Sequence, residues 1–525
     1  MIKLFSPACQ SAKPSITFKS LWANIERFIT YCFLAVGFKM SSSMKNFHLT
    51  TLDQTMLRMY VRQLLIFQTE DLSSSKDTVR ALRKSFLATL RQLPFLAGTS
   101  CPASEPAGQL TLKYPEFFSD GLVDERLDVN HSLVDDPSLR FDDLEAEGFS
   151  PSKFASDTFC PKLLRDHPGL DDALAEGLVS FKKMNPIPAL AAKISFIAGG
   201  LILSVYAHHN VTDGAGIASF YRMWSSNSSA VGPNPSINLH PVEIEEMESQ
   251  RRALDNLAMS SEPAECPEVR YPGTKSSKPA LRSVPYDLSA KVIVFSSSTI
   301  SRLASELSSL AGTRVSSFTT LVTLIWMQIT LSRDANLGEK GIKTTKLTMA
   351  FDHRKNLKDY VSDTYLGNCA TGITASYSVS EMLSAGSTKI APENLAPIAR
   401  SVSETLSSTT LDWLKPRLSL FARTPNPHHL GLDVDIFNGP DLFVTSWMHI
   451  GTDCEWNIPG VVGHGPKAIR KPKSKTEGNI HILPRLKQSE FEVPFEVMLC
   501  LEESEMERMV SRLRDEGWAE RIVDA

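Results

Sequence analysis

Two consecutive apolar segments near the middle of the chain constrain its fold more than any other feature. Residues 189–198 and 201–208 are of strand length and rich in β-forming side chains, and two glycines separate them. A pair of glycines between two such segments is typical of a tight β-hairpin. The second segment ends at His208-His209, and apolar residues at helical spacing follow Gly214. The sequence therefore predicts a polar turn between a strand and a helix, where side chains can reach a cleft.

The remaining periodic segments predict an alternation of helices and strands. Helical spacing occurs at 75–93, 298–311, 317–331 and 504–514, and strand-like segments occur at 346–351, 442–447, 479–483 and 495–501. By contrast, the acidic residues 120–151 are expected to form mainly loops, with His131 on a solvated surface. The alternation favours an α/β fold.

The length of the chain, 525 residues, predicts two domains rather than one core. We expect a disordered or non-native extension at 1–43, a first domain at 44–258, a Ser/Pro/Gly-rich linker at 259–290 and a second domain at 291–525. The extension contains an apolar run at 28–38, which resembles the core of a signal peptide but is too short to span a bilayer.

Composition excludes several classes of function. A net charge of −4 disfavours a nucleic-acid binder. The eight cysteines are scattered, without a C-x-x-C pair, so we expect neither a zinc site nor a disulfide scaffold. The expectation is a cytoplasmic monomer without a membrane span. His428-His429 have no acidic or cysteine neighbour in sequence, and no metal is expected there either.

His209 and Asp213 are the candidate chemical centre of the predicted turn. Histidine suits general-base chemistry, since its ordinary pKa is about 6.5. An aspartate four residues further on can hold the local backbone or pair with a distant cation. A bare H-x-x-x-D pattern is weak, but here it follows a strand and precedes Gly214 in an apolar setting. The alternative is a hydrogen-bonded histidine at a turn without any catalytic role.

Several segments resemble one family in their order along the chain. They are Leu52-Asp53-Gln54, Tyr60-Val61-Arg62, the segments 93–98 and 199–214, Asp352-His353-Arg354, the segment 365–368 and Val444-Thr445-Ser446-Trp447. This set resembles the HxxxD-type acyl-CoA-dependent acyltransferases (the BAHD family), especially the fungal trichothecene 3-O-acetyltransferase-like branch. The resemblance implies a two-domain, chloramphenicol acetyltransferase-like fold. Each domain would have a mixed β-sheet with flanking helices, and the active-site channel would lie between the domains.

The resemblance also implies an activity. The chain is expected to be an O-acyltransferase, with acetyl as the default group, acting in fungal secondary metabolism. Acyl-CoA would be a co-substrate, with no permanently bound cofactor, and the acceptor would be a small-molecule alcohol or amine.

The resemblance assigns roles to five positions. His209 matches the catalytic histidine, and Asp213 matches an aspartate that pairs with an arginine of the second domain, here Arg354. Thr445 and Trp447 match residues near the acceptor and the oxyanion, where an indole N–H can act as a donor. The alternatives are core packing for Trp447 and a surface ion pair for Arg354.

One segment departs from the family pattern. Where the family has D-F-G-W-G, this chain has Glu455-Trp456-Asn457-Ile458-Pro459-Gly460, which puts the loop geometry and the fit of coenzyme A in doubt. Basic residues follow, and Lys467 and Arg470 are expected to meet the phosphates of coenzyme A. The alternative is a solvated surface loop.

Two other functions remain open from the sequence. A condensation domain of the peptide-synthetase type also uses H-H-x-x-x-D-G, with a carrier protein as donor. A non-catalytic binding protein on the same fold is suggested by the altered segment at 455–460.

Overall fold

The structure is a computed structural model, and it describes residues 43–106, 108–118, 120–168, 170, 185–230, 244–274, 278–386, 389–486 and 492–525. The apolar run at 28–38 and nearly all of the predicted extension at 1–43 lie outside these residues. Among the described helices, none is both long enough and apolar enough to cross a membrane.

The described strands, in chain order, are as follows. They are β1 Met44–Phe47, β2 Tyr60–Gln68, β3 Thr99–Pro102, β4 Leu110–Pro115, β5 Leu127–Leu133, β6 Ile187–Pro188, β7 Leu190–Ile197, β8 Gly200–His208, β9 Val269–Arg270, β10 Leu288–Phe295, β11 Thr344–Asp352, β12 Ala370–Ser378, β13 Gly431–Leu432, β14 Leu442–Ser446, β15 Ala468–Arg470, β16 Asn479–Ile482, β17 Phe495–Glu502 and β18 Arg521–Asp524.

The described helices are α1 Thr51–Thr55, α2 Ser75–Gln92, α3 Asp120–Arg126, α4 Phe141–Ala146, α5 Ser156–Phe159, α6 Lys162–Arg165, α7 Gly214–Ala230, α8 Ile244–Ser260, α9 Ser297–Ala311, α10 Ser317–Ser332, α11 Asp334–Glu339, α12 Val379–Ala385, α13 Pro392–Ser408, α14 Leu411–Arg423 and α15 Glu503–Asp515. Short 3₁₀ turns occur at Pro94–Ala97, Pro137–Leu139, Pro151–Lys153 and Pro427–His429.

The first large sheet has five strands in the order β15-β2-β8-β7-β5. β7 and β8 form the predicted hairpin, in which Ile197 pairs with Gly200. Every side chain of these two strands is buried. Helices α2 and α7 pack on one face of the sheet and form an apolar core with it. The hairpin therefore delivers the H-x-x-x-D turn from the centre of a sheet that is covered on both faces.

The prediction of loops at 120–151 is wrong. Helix α3, strand β5 and helix α4 lie in this segment, and β5 pairs in parallel with β7 at the edge of the sheet. In β5 only Leu127 is fully buried, whereas His131 is exposed, as predicted. Leu127, Val129 and Leu133 do lie at alternate positions, but the alternation is short and is interrupted by His131, so it is a weak strand signal. The pairing of β5 depends on the backbone, which the sequence pattern does not report.

The second large sheet has seven strands in the order β12-β11-β14-β16-β17-β10-β18. The pairs β11–β14 and β14–β16 are parallel and the others are antiparallel, so this sheet is mixed. Helices α9, α10, α13 and α15 bury one face of it in a continuous apolar core. A smaller sheet, β1-β4-β3-β6, and a two-stranded pair, β13-β9, complete the described strands.

A strand from the late part of the chain belongs to the first large sheet. Strand β15 lies late in the chain but pairs with β2 in the first sheet, with Ile469 opposite Leu65. The predicted fold class, α/β with mixed sheets and flanking helices, is confirmed. The boundaries proposed for the two domains and for the linker at 259–290 stay predictions.

Candidate active site

The H-x-x-x-D turn begins where β8 leaves the first sheet. The backbone N–H of His209 donates to the carbonyl of Met59 at 2.8 Å, and that of Val211 donates to the carbonyl of His208 at 2.9 Å. The carbonyl of His209 accepts from the side-chain amide of Asn368 at 2.9 Å. Three contacts therefore fix the backbone on both sides of the imidazole.

The two neighbouring histidines have different surroundings. His208 is fully buried, with its ring edge-on to Tyr60 at 5.2 Å, and burial followed by the charge of His209 lowers its pKa to about 3. His209 is only half-buried. Its Nδ1 is buried and has no hydrogen-bond partner among the described residues. Its Nε2 also has no partner within the described chain, but it is accessible. Nε2 of His209 is therefore the ring nitrogen that a substrate can reach.

Asp213 is held by a two-pronged ion pair. The guanidinium of Arg354 donates to both carboxylate oxygens, at 2.9 and 3.0 Å, and each side chain is at most 4% exposed. The backbone N–H groups of Cys369 and Gly216 also donate to this carboxylate, at 2.8 and 2.9 Å. The contact that the resemblance implied between Asp213 and Arg354 is present. With four donors around it, the carboxylate is directed away from proton transfer.

The electrostatics of this pair explain why it stays charged. Burial by itself would raise the pKa of Asp213, but the charge and hydrogen bonds of Arg354 outweigh burial. The N–H groups of Cys369 and Gly216 add to that effect, so the pKa of Asp213 lies below its ordinary value. Arg354 also donates to the backbone carbonyls of Tyr365 and Gly367, both at 2.8 Å. The arginine therefore ties the H-x-x-x-D turn to the segment between β11 and β12.

A second buried network, which the sequence did not predict, lies behind His209. The backbone N–H and the side-chain amide of Asn368 both donate to one oxygen of Asp53, at 3.0 and 2.8 Å. Asp53 in turn pairs with Arg251, and both side chains are fully buried. Asp53 and Asn368 lie in segments that resemble the family, but nothing in their spacing indicates that they meet. Arg251 carries no sequence signal at all.

Trp447 follows β14, at the end of the second sheet. It is 7% exposed and belongs to the same apolar core as Val211. Its backbone N–H donates to the carbonyl of Ile482 at 2.8 Å. The neighbouring Ile450 lies so close to the start of α7 that a methyl group on Gly214 would be 3.2 Å from its side chain. The end of the second sheet is therefore in contact with the start of the helix that follows His209.

Thr445 and His481 are direct neighbours on β14 and β16. Thr445 is half-buried, and the ring of His481 lies edge-on to the indole of Trp447 at 5.3 Å. Burial, followed by the charges of Lys471 and Arg62, lowers the pKa of His481 well below its ordinary value, so this imidazole is neutral at pH 7. His481 was not predicted from the sequence.

Lys467 directly precedes β15, and Arg470 is the last residue of that strand. Both line a cavity of about 300 Å³ together with Glu496. Arg470 is 4% exposed and donates to Glu496 and to the carbonyls of Phe149 and Gly148, each at 3.0 Å. Its donors are therefore committed to internal contacts, whereas Lys467 is half-buried. Their predicted role with coenzyme A stays a prediction.

The altered segment at 455–460 retains an ordered loop. Trp456 is fully buried, with its ring 5.8 Å from that of Phe67 and 5.4 Å from that of Trp224. Asn457 stands where the family pattern has its first glycine, and its φ of +43° lies in the left-handed region. Asparagine tolerates this conformation better than most other residues, so the loss of the glycine is accommodated.

The thiol of Cys369, whose backbone N–H contacts Asp213, is a poor nucleophile. Burial raises the pKa of Cys369 far above its ordinary value, so the thiol is protonated at neutral pH. The described residues include no group of three or more His, Cys, Asp or Glu side chains that could hold a metal. The arrangement can therefore accept a proton at His209 and present donors from the second sheet.

Comparison with known proteins gives a consistent result. The model of the Transferase family matches residues 159–515, and that of the trichothecene 3-O-acetyltransferase-like N-terminal domain matches residues 59–227. The chain is 23% identical to the acyltransferase easC of Emericella nidulans, over 85% of this chain and 90% of the relative. It is 24% identical to the O-acetyltransferase ptmV of Penicillium ochrochloron, over 90% and 96%.

A similar fold occurs in F. graminearum TRI101, solved in complex with coenzyme A and deoxynivalenol. The two chains superpose with a TM-score of 0.71 at 20% identity, over 90% of this chain and 99% of that one. The family model spans more than half of the chain, and the motifs predicted from the sequence lie within the matched regions or close to them. The chain therefore belongs to the Transferase (BAHD) family.

Proposed function

We propose that this chain transfers an acyl group from acyl-coenzyme A to a hydroxyl group of a small molecule, with His209 as the general base. The observation that carries the proposal is the arrangement of the turn, in which Nε2 of His209 is open while Asp213 is fully occupied by Arg354 and two backbone N–H groups. Relatives named acyltransferase and O-acetyltransferase support ester formation. The fold shared with a protein that binds coenzyme A supports the thioester donor.

The proposed reaction is a direct transfer. Nε2 of His209 accepts the proton of the acceptor hydroxyl while the oxygen of that hydroxyl attacks the thioester carbonyl carbon. The tetrahedral intermediate then collapses, the carbon–sulfur bond breaks, and the departing thiolate takes the proton back from His209. No acyl-enzyme is needed, and the protonated thiol of Cys369 is in keeping with this.

We propose separate roles for the surrounding residues. Asp213 and Arg354 form a clamp that holds the turn against the segment between β11 and β12, and their function is geometric. The indole N–H of Trp447 and the hydroxyl of Thr445 are donors for the acceptor or for the developing oxyanion. Lys467 is the better candidate of the two basic residues for a coenzyme A phosphate, because the donors of Arg470 are already used.

We also propose the donor, the acceptor, the cellular location and the division into domains. Acetyl-CoA is the proposed donor, and an alcohol of fungal secondary metabolism is the proposed acceptor. We propose a cytoplasmic monomer without a permanently bound cofactor, in which 44–258 and 291–525 are the two domains. The six described cysteines are free thiols, in keeping with a reducing compartment.

The test is acyl transfer by the purified full-length protein. It is incubated with acetyl-CoA and a panel of hydroxylated small molecules, and products are analysed by mass spectrometry for the addition of one acetyl group. A parallel series offers the acetyl group on a carrier protein. We expect ester formation from free acetyl-CoA. Transfer from the carrier protein alone would favour a condensation-type enzyme, and tight binding without transfer would favour a binding protein.

A further inference from the structure

One face of the second large sheet is open near the H-x-x-x-D turn. Ala350 lies in β11, an interior strand, and yet it is exposed. Its neighbours Met349 and Val444 point to the opposite face and lie in the helix-covered core. The register that pairs Met349 with Val444 brings Ala350 beside Thr445, and Thr445 pairs with His481. We call Ala350, Thr445 and His481 the inner-face patch.

The inner-face patch lies next to the proposed reaction centre. Ala350 precedes Arg354 by four residues, and Arg354 binds Asp213. Thr445 precedes Trp447 by two residues, and Trp447 shares an apolar core with Val211. Since a strand rises about 3.3 Å per residue, Thr445 lies within about 7 Å of Trp447 along the chain. A molecule that lies on the patch is therefore near the end of β11, after which Arg354 binds Asp213 of the catalytic turn.

Polar groups on and beside the patch have no partner within the described chain. The imidazole of His481 is more than nine-tenths buried, with 7% of its surface exposed, and it forms no hydrogen bond to a described residue. The Thr445 hydroxyl and the Trp447 indole N–H form none either. None of these atoms is fully buried, so each is accessible from outside. Because buried polar groups are nearly always hydrogen-bonded, this cluster is built for an external partner.

The chemistry of that partner follows from the surroundings. The neutral ring of His481 has one N–H donor and one acceptor nitrogen. Lys471 and Arg62 act on it electrostatically, and their positive charges favour an electron-rich oxygen and disfavour an ammonium group. The exposed Ala350 adds an apolar surface, and Leu432 lies beside it, over Gly372, which pairs with Ala350. Across β11, β14 and β16 the patch is about 10 Å wide, which leaves room for two fused six-membered rings to lie flat on it.

From these contacts we propose that the inner-face patch binds the acceptor, and that His481 donates a hydrogen bond to a second oxygen of an alcohol built on fused rings. The inference rests on the proposed acyl transfer and deepens it by defining the acceptor. A ketone or ether oxygen is the partner of His481. A hydroxyl elsewhere on the same molecule lies at His209. Cationic amines are excluded from the patch.

The test compares two acceptors with acetyl-CoA as the donor: a hydroxylated decalin and the same alcohol with a ring ketone. The variants are His481→Phe, which keeps a ring against Trp447 but removes the donor, and His481→Asn, which restores an N–H. The control is His131→Phe, since His131 is exposed on β5 and stacks on Phe196. We expect His481→Phe to raise the KM for the keto alcohol about 3- to 10-fold, the loss of one hydrogen bond. The KM for the plain alcohol and for acetyl-CoA should not change, and His481→Asn should recover part of the loss.

The outcomes separate the two proposals. If the unaltered protein acylates neither decalin alcohol nor any other alcohol of the panel, the proposed function itself fails. If it acylates them but His481→Phe leaves the preference for the keto alcohol unchanged, only the inference fails. A raised KM for acetyl-CoA instead would place the thioester at His481 and would also overturn it. Should His481→Phe not fold, Ala350→Leu fills the same patch and should raise the KM of the bicyclic alcohols but not that of acetyl-CoA.

Discussion

At the scale of single residues, the contacts of Asp213 separate its role from that of His209. Its two oxygens accept from Arg354, Cys369 and Gly216, so neither is directed at a substrate. A buried ion pair with this geometry fixes positions more than it adds net stability. Removal of one partner, however, leaves the other charge buried. Asp213 should therefore affect folding and turnover together.

Asp213→Asn tests this role. We expect the free energy of unfolding to fall by about 3 kcal/mol, the low end of the usual range for a broken buried pair. The value is at the low end because Asp352 and two carbonyls still contact Arg354. Denaturant titration measures the loss. The control is Arg302→Ala, which breaks the exposed pair with Glu306 and should cost about 0.5 kcal/mol or less. Equal effects of the two substitutions would contradict the clamp.

The lowered pKa of Asp213 predicts an acid dependence of stability. A carboxyl group whose pKa is lower in the folded state than in the unfolded state stabilises the fold above its ordinary pKa, about 3.9. That contribution is lost as the pH falls from about 4 through the lowered pKa of the folded state. The free energy of unfolding, measured from pH 6 down to pH 3, should therefore fall more steeply for the unaltered protein than for Asp213→Asn. Parallel curves would show that Asp213 does not contribute.

Single residues could be predicted from the sequence where their partners are close along the chain. His209, Asp213 and the strand before them are local, so their spacing could be read directly. Asn368 and Asp53 are 315 positions apart and meet only after folding. His481 sits in a short strand whose pattern is that of an ordinary sheet segment. Nothing local distinguishes it from packing.

At the scale of elements, the start of α7 is the tightest junction near the turn. A methyl group on Gly216 would lie 2.4 Å from the carbonyl oxygen of Leu366 and 2.1 Å from the hydroxyl of Thr212. Backbone cannot move aside as a flexible side-chain end can. The glycine therefore permits the close approach of α7 to the segment that carries Gly367 and Asn368.

Gly216→Ala should destabilise the protein, although alanine normally favours a helix. Overpacking of this kind costs about 1–3 kcal/mol, and turnover should fall as well because the shift reaches Asp213. Gly338→Ala is the matched control, since a methyl group there meets nothing within 4 Å, and it should be neutral or slightly stabilising. Melting temperatures of the two variants provide the comparison, and a stable, fully active Gly216→Ala would contradict the junction.

Elements were predictable where they are buried and less so where they are not. The hairpin β7–β8 and helices α9, α10 and α15 match the predicted segments, because their apolar periodicity follows from burial. Strand β5 was missed, since its apolar alternation is short and mostly only half-buried, and its partner is the backbone of β7. The φ of Asn457 is another local feature that the pattern of residues does not report.

At the scale of the whole molecule, the two large sheets are interlocked. β15 comes from the late part of the chain and completes the first sheet beside β2. The pair between Asp213 and Arg354 makes a second link, and the contact of Asp53 with Asn368 makes a third. The family and the α/β class could be predicted from local motifs, but this exchange of a strand could not. Strands β15 and β2 are far apart in sequence, and no pattern of residues indicates that they pair.

Interlocking predicts cooperative unfolding of the full-length chain. Differential scanning calorimetry should show the two sheets melting in one transition, with matching calorimetric and van't Hoff enthalpies. Asp213→Asn should move that transition to lower temperature without splitting it. Two separate transitions, one for each sheet, would show that the proposed domains at 44–258 and 291–525 are energetically independent.

We propose His209 as the general base of an acyl transfer from acyl-coenzyme A, and the turnover number of His209→Ala tests this role most directly. The variant is compared with the unaltered protein at saturating acetyl-CoA and acceptor, once the two proteins have been shown to have the same melting temperature. We expect a kcat that is lower by about 10²- to 10⁴-fold, the usual contribution of a positioned base, with the fold unchanged. A correctly folded His209→Ala protein with near-normal kcat would contradict this role.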